Sequence, residues 1–333
     1  MEPKDQVRAL RISGLNVAGE PVDVDYSLNL MNVVLFFEPV SKNSLDVVEL
    51  VRLMSERYSR LSVGFWYVME PRLSCLYRSL SAQRTLDRLS LFSNVLFDAN
   101  NMIVLQSGVR VVPAVIVVDS NGLICSQFEG EISLLEIERT VQARIALSGY
   151  KDELPLMSRF DAFGNGITSE LSRGRSGSVM RQLGYATGDY VFGSVIAPET
   201  NQEFSLPDYC LINTIYPFGA WFVGRDSIAG NSGSTVYVSC ARDESVTIFA
   251  GAEAGATLRI HTSIESPQNM VFGKDVKKSE GSLEMKFDEF RPYEVLLNSG
   301  DSDLLISLQI MSGTAQLYSV EFCPTVYVPV NRP

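Results

Sequence analysis

The chain has 333 residues, 46% hydrophobic and 20% charged, with a net charge of −11. That length exceeds one average domain and suits two soluble domains, each with its own core; the acidic balance argues against nucleic acid or an anionic membrane as partner, because both call for basic surface. One histidine, His261, excludes a multi-histidine metal site and leaves a Ser-His-Asp triad that single residue.

From about residue 7 to residue 147 strand and helix patterns alternate, which predicts an α/β layer structure. Val7 to Ile12 and Val22 to Tyr26 read as short strands. Val33 to Phe37 is a continuous apolar run, as expected of a strand covered on both faces. A helix follows over about 44–58, with Ser44 suited to its start and Leu45, Val48, Val51, Leu53 and Met54 as its buried stripe. Leu61 to Val68 is the next strand, and Pro71 is placed to open a helix reaching about Leu89. Val95 to Phe97 reads as a short strand, and 101–106 as a short helix. Pro113 precedes an apolar strand, and Asn121-Gly122 marks a tight hairpin into Leu123 to Phe128. The last helix of this half runs from about Glu131 to Leu147.

Residues 151–188 form the boundary. Gly164-Asn165-Gly166 and the run Ser172 to Ser178 read as a linker or mobile loop; its arginines, Arg173 and Arg175, with Arg181, could alternatively hold a phosphate or an acidic partner. From about 189 onward the helical period disappears. Nine short strand patterns succeed one another: Tyr190–Ile196, Tyr209–Ile215, Thr235–Cys240, Val246–Ala250, Thr257–Thr262, Leu283–Phe287, Tyr293–Leu297, Leu304–Ile310 and Ala315–Phe322. That spacing predicts a β-sandwich or jelly roll.

Cys75, Cys125, Cys210, Cys240 and Cys323 are odd in number and scattered, with no CxxC spacing, so they read as small buried hydrophobes in a reducing compartment. The N-terminus shows no basic stretch leading into an apolar one, and no apolar run reaches membrane-spanning length, which makes a cytoplasmic location the expectation. Asp301 and Asp303 could bind calcium but lack a dense acidic loop, and no metal or cofactor is expected. Neither a Walker loop nor GxGxxG occurs. Tyr209, Tyr216, Phe218, Trp221 and Phe222 cluster in sequence. Such aromatics either stack on sugar rings or fill a core.

The junction from Val33 to Ser44 reads as a buried strand entering a helix, with Ser41-Lys42-Asn43-Ser44 at the turn. Together with Asp98-Ala99-Asn100-Asn101, Val112-Pro113 and Asp119-Ser120-Asn121-Gly122, and with Gly130-Glu131 beyond, this resembles the thioredoxin-like superfamily in its TlpA-like branch. The two-domain order resembles the C-terminal region of DipZ-type thiol-disulfide interchange proteins, in which a carbohydrate-binding-like jelly roll follows the thioredoxin domain. The resemblance implies that Ser41 and Ser44 stand where those proteins carry Cys-x-x-Cys, and that Val112-Pro113 is a cis peptide facing the helix and offering backbone groups to an extended substrate. A hydroxyl cannot exchange disulfides. The two serines could therefore be a degenerate, anion-binding redox site or plain helix caps, and Pro113 a peptide-binding edge or a purely structural element.

The expectation is a redox-inactive thioredoxin-like domain (residues 1–150) joined to a β-sandwich or jelly roll (189–333). It would recognise a protein or peptide or support an assembly. Two alternatives remain: a glycan-binding module using Tyr216, Phe218, Trp221 and Phe222, or an atypical oxidoreductase using a lone cysteine such as Cys75 or Cys125. The resemblance also allows a periplasmic or extracellular location.

Overall fold

The computed structural model describes residues 9–130, 132–150, 153–157, 179–186, 196–263, 270–279 and 281–324. Residues 190–195 of the expected strand over 190–196, most of the boundary segment, and Arg173 and Arg175 lie outside them. The chain divides into two compact units, residues 1–39 with 43–173, and residues 40–42 with 174–333.

The first unit is a layered α/β domain. Its elements are β1 (Ser13–Leu15), β2 (Pro21–Asp23), β3 (Met31–Phe37), α1 (Lys42–Arg57), β4 (Val63–Met69), α2 (Ser79–Arg88), β5 (Val95–Phe97), α3 (Met102–Ser107), β6 (Ala114–Asp119), β7 (Ile124–Glu129) and α4 (Leu134–Leu147). They form one sheet in the order β2-β1-β5-β4-β3-β6-β7. β3, β4 and β5 run parallel, β6 is antiparallel to β3, and β7 is antiparallel to β6. All seven residues of β3 are buried because both sheet faces are covered. Val33, Leu35 and Phe37 pack with Val48 and Val51 of α1 and with Ile137 and Val141 of α4. Val34 and Phe36 pack on the other face with Ile103 of α3.

At the β6–β7 turn Asp119 Oδ1 accepts from the N–H groups of Asn121 (2.8 Å) and Leu123 (2.9 Å). Gly122 there has φ +77°, and a Cβ on it would lie 2.9 Å from the Leu10 carbonyl oxygen. Two expectations are corrected. Pro71 opens no helix: a 3-10 turn, Ser74–Tyr77, comes first, Arg78 is extended, and α2 starts only at Ser79. Ala9 makes only an isolated bridge to Leu123, and the first strand is β1.

The second unit is antiparallel throughout. Its strands are β8 (Val179–Gln182), β9 (Thr200–Phe204), β10 (Thr214–Val223), β11 (Ile228–Gly230), β12 (Thr235–Cys240), β13 (Glu244–Gly251), β14 (Ala256–Thr262), β15 (Val271–Phe272), β16 (Val276–Ser279), β17 (Ser282–Phe287), β18 (Arg291–Asn298), β19 (Leu304–Ser312) and β20 (Ala315–Pro324). Their order is β15-β18-β13-β20-β11-β10-β12-β19-β14-β17-β16, with β8 on β20 and β9 on β10.

β10 changes partners midway. Thr214–Phe218 pair with β12; Gly219–Val223 pair with β9, and Trp221–Val223 with β11. Gly219, at the changeover, has φ +81°, a conformation that suits glycine. The result is two sheets sharing β10, with Val236, Val238, Leu258, Ile260, Ile306 and Leu308 of one facing Ile248, Tyr293, Leu317 and Val320 of the other in a single core. β20 is the hub of its sheet: β13 lines one side, and β11 (at 315–317) and β8 (at 319–322) share the other. The sequence pattern expected a strand over 209–215, but Tyr209 to Asn213 precede β10 in irregular chain. Among the described residues, no helix is long and apolar enough to cross a membrane.

Candidate functional site

In the first unit each parallel strand ends in an acidic residue: Glu38 after β3, Glu70 after β4 and Asp98 after β5. All three are buried. Backbone bonds hold them in step, since Glu70 N–H donates to Phe37 O and Asp98 N–H to Met69 O, both at 2.9 Å. Arg72 bridges two of them, its Nε lying 3.0 Å from both Glu38 Oε2 and Glu70 Oε1. Burial disfavours the guanidinium's charge, but the Glu38 and Glu70 carboxylates outweigh it and hold its pKa above the ordinary value. Asp98 Oδ2 accepts from Val104 N–H of α3 at 2.9 Å. The carboxyl ends of parallel strands are where open α/β sheets present ligand sites.

Ser41 and Ser44 lie at the start of α1, and both are buried. Ser44 Oγ accepts from Glu38 N–H at 3.3 Å, so its hydroxyl ties the strand end to the helix. Asn43 Nδ2 donates to the Gly130 carbonyl at 3.4 Å, and Gly130 N–H donates to the Pro113 carbonyl at 2.8 Å. The helix start is thus linked through one glycine to the segment entering β6. The Val112-Pro113 bond is cis; Pro113 is buried, Val112 half-buried and Val111 exposed. The junction presents hydroxyl, amide, carboxylate and guanidinium groups, which can hold a partner by hydrogen bonds and charge.

None of the five cysteines forms a disulfide. Cys75 is buried. Burial pushes the Cys125 and Cys210 thiols above the ordinary thiol pKa, and burial with the nearby Glu244 pushes Cys240 to about 12. Thiolate character is what a reactive cysteine needs, and these environments oppose it.

In the second unit the aromatic residues separate. Trp221 is 1% exposed, belongs to the core, and donates from Nε1 to Phe218 O at 3.1 Å. Tyr216 is also buried, and its hydroxyl accepts from Leu211 N–H at 2.6 Å. Phe218 and Phe222 are exposed, as is Tyr209. Phe218 meets Tyr237 edge-on, with ring centroids 6.1 Å apart. Arg181 Nε donates to Asn213 O at 2.9 Å. Asp303 Oδ1 accepts from Arg242 N–H at 3.0 Å, and Asp301 is exposed. Among the described residues, no group of three or more His, Cys, Asp or Glu is placed to hold a metal ion.

Sequence reasoning missed the Glu38–Arg72–Glu70 bridge. Its signal was a repeated pattern, an apolar strand followed by Glu-Pro, in Phe37-Glu38-Pro39 and Met69-Glu70-Pro71.

No family model matches the sequence, and no curated protein is significantly similar to it. Solved structures similar to the N-terminal part include a secreted Mycobacterium tuberculosis disulfide oxidoreductase homologous to E. coli DsbE (18% identity, 42% of this chain and 99% of the other, TM-score 0.34). A thiol:disulfide interchange protein of the thioredoxin family from Chlorobium tepidum is 15% identical over 41% of this chain and 94% of its own (TM-score 0.34). The thioredoxin domain of a Bacteroides vulgatus thiol-disulfide oxidoreductase is 14% identical over 40% and 96% (TM-score 0.34). The first unit is a layered α/β domain with strand order β2-β1-β5-β4-β3-β6-β7, and a cis-proline precedes β6.

Proposed function

We propose that the first unit is a redox-inactive thioredoxin-like domain that recognises a protein or extended peptide along the segment entering β6, or holds an assembly together. The observation that carries this reading is the pair Ser41 and Ser44 at the start of α1, where disulfide exchange would need thiols. The link from Asn43 through Gly130 to Pro113 supports it, because the scaffold of such a groove is kept without its redox chemistry. Exposed Val111 beside Val112 and Pro113 is where an extended chain would lie. No cofactor is required.

The test combines insulin reduction with binding to an arrayed peptide library. The expected result is no turnover, with peptide binding lost in Val111→Glu. Turnover that persists in Ser41→Ala/Ser44→Ala and disappears in a cysteine-free variant would overturn the proposal in favour of an oxidoreductase using a lone cysteine.

A second reading is glycan binding by the second unit as a jelly-roll-like module on a thioredoxin-like scaffold. It is favoured by exposed Phe218 edge-on to Tyr237, an arrangement that offers ring surface to a pyranose. For location, five cysteines outside any disulfide favour a cytoplasmic protein. The resemblance to thiol-disulfide interchange proteins favours a periplasmic or extracellular one.

A further inference from the structure

Although the chain has a net charge of −11, four of its seven lysines fall within 274–286. The β ladder sorts these and their neighbours by face. Core residues Leu258, Ile260, Met285, Phe287, Ile306, Leu308, Val236 and Val238 point inward. Residues alternating with them therefore share the outer face.

The registers align that face across six strands. Phe218 lies opposite Thr235, Thr235 opposite Gln309, Gln309 opposite Arg259, Arg259 opposite Glu284, and Glu284 opposite Lys277. Lys286, two residues along from Glu284, lies opposite Thr257; His261 and Tyr237 both lie opposite Ser307. One end of the row carries the Phe218–Tyr237 ring pair, and the other carries Arg259, Lys277 and Lys286 around one carboxylate.

These cations are unspent. Among the described residues, none of the three forms an ion pair; Arg259 Nε is buried without a hydrogen-bond partner, and Glu284 accepts from Ser282 Oγ at 3.2 Å. The ordinary role of strand lysines is to block edge-to-edge pairing. That role can account for Lys277 on β16, the edge strand, and for Lys286, which lies just past the β16–β17 ladder, but not for Arg259, which is paired on both sides.

We propose that this outer face binds an anionic polysaccharide, with the Phe218–Tyr237 pair stacking on a sugar ring, Gln309, Ser307 and Thr257 bonding hydroxyls, and Arg259, Lys277 and Lys286 holding acidic groups. Five interstrand spacings make the row roughly 24 Å long. The three cations lie on β14, β17 and β16 at one end of it, within two spacings or roughly 10 Å, and three charges around one carboxylate suit a chain with sparse carboxylates or sulfates. Duplex DNA, with a charge per ~1.7 Å, would call for a much denser basic surface. This inference deepens the glycan-binding reading.

The test is affinity electrophoresis of the full chain through gels containing polygalacturonate, dextran or single-stranded DNA, at low and high salt. The proposal expects retardation by polygalacturonate alone, weakened at least tenfold by high salt, by Lys277→Glu/Lys286→Glu, and by Phe218→Ala. All three substituted side chains are exposed, and circular dichroism checks that the fold is intact. Retardation by dextran that only Phe218→Ala abolishes would support the broader glycan reading and overturn this one. Preference for DNA, or no retardation in any gel, would overturn it as well.

Discussion

Removing the guanidinium of Arg57 should destabilise the first unit. Arg57, in the last turn of α1, reaches Glu138 on α4, with its Nη1 2.5 Å from Oε1; the Glu138 side chain is fully buried and that of Arg57 one-third exposed. Arg57 also donates to the Leu156 carbonyl. Arg57→Met leaves the apolar stem but takes away the positive charge facing a buried carboxylate, a loss that typically costs about 3–5 kcal/mol.

Urea denaturation of wild type and variant at pH 7 should show a penalty of about 3–5 kcal/mol, and Arg57→Met/Glu138→Leu should recover most of it. A penalty below about 1 kcal/mol, or one that the double variant does not recover, would refute the reasoning.

Further predictions concern packing and thiols. A Cβ at Gly230 would lie 2.7 Å from the Trp221 ring, so Gly230→Ala should cost about 1–3 kcal/mol by denaturant titration and alter tryptophan emission. Trp221→Ala removes a buried core ring and should cost about 3–5 kcal/mol on the same titration. With its pKa near 12 against an ordinary 9.0, Cys240 should alkylate about a thousandfold more slowly than a free thiol at pH 8; labelling at the free-thiol rate would contradict its burial. Ser41→Cys/Ser44→Cys should gain a thiol of lowered pKa at the start of α1, read by the pH dependence of alkylation; an ordinary pKa there would count against the thioredoxin-like reading of the junction.

The parts of the fold that were legible in the sequence carry local signals. The apolar run at Val33 to Phe37 marked a strand buried on both faces, and Asn121-Gly122 marked the β6–β7 turn, because burial and turn chemistry are written in adjacent residues. β10 was not legible beyond Ile215. Pro217 and Gly219 read as strand breakers, yet Pro217 pairs opposite Val236, and Gly219 marks where the strand changes sheets. The short strands β8 and β11 gain part of their order from β20, far along the chain. At the candidate site Ser41, Ser44 and Pro113 were singled out by the family resemblance of the residues around them. Arg72 could not be, because its link to Glu38 depends on β3 and β4 lying side by side. The separation of the aromatic cluster into buried Tyr216 and Trp221 and exposed Phe218 and Phe222 likewise depends on where β10 bends.

The position of β20 sets a condition on how the second unit is made. During synthesis from the N-terminus, β8, β11 and β13 emerge well before the strand they all pair with. Until residues 315–324 arrive, β13, whose eight residues are all buried in the finished sheet, has a bare edge on the side β20 will occupy. A hydrophobic strand waiting with an unpaired edge is a template for intermolecular pairing, and such long-range ladders form slowly. The nascent chain is therefore most exposed to aggregation in the interval between completing β13 and completing β20, and truncation within β20 should give insoluble protein rather than a smaller folded unit.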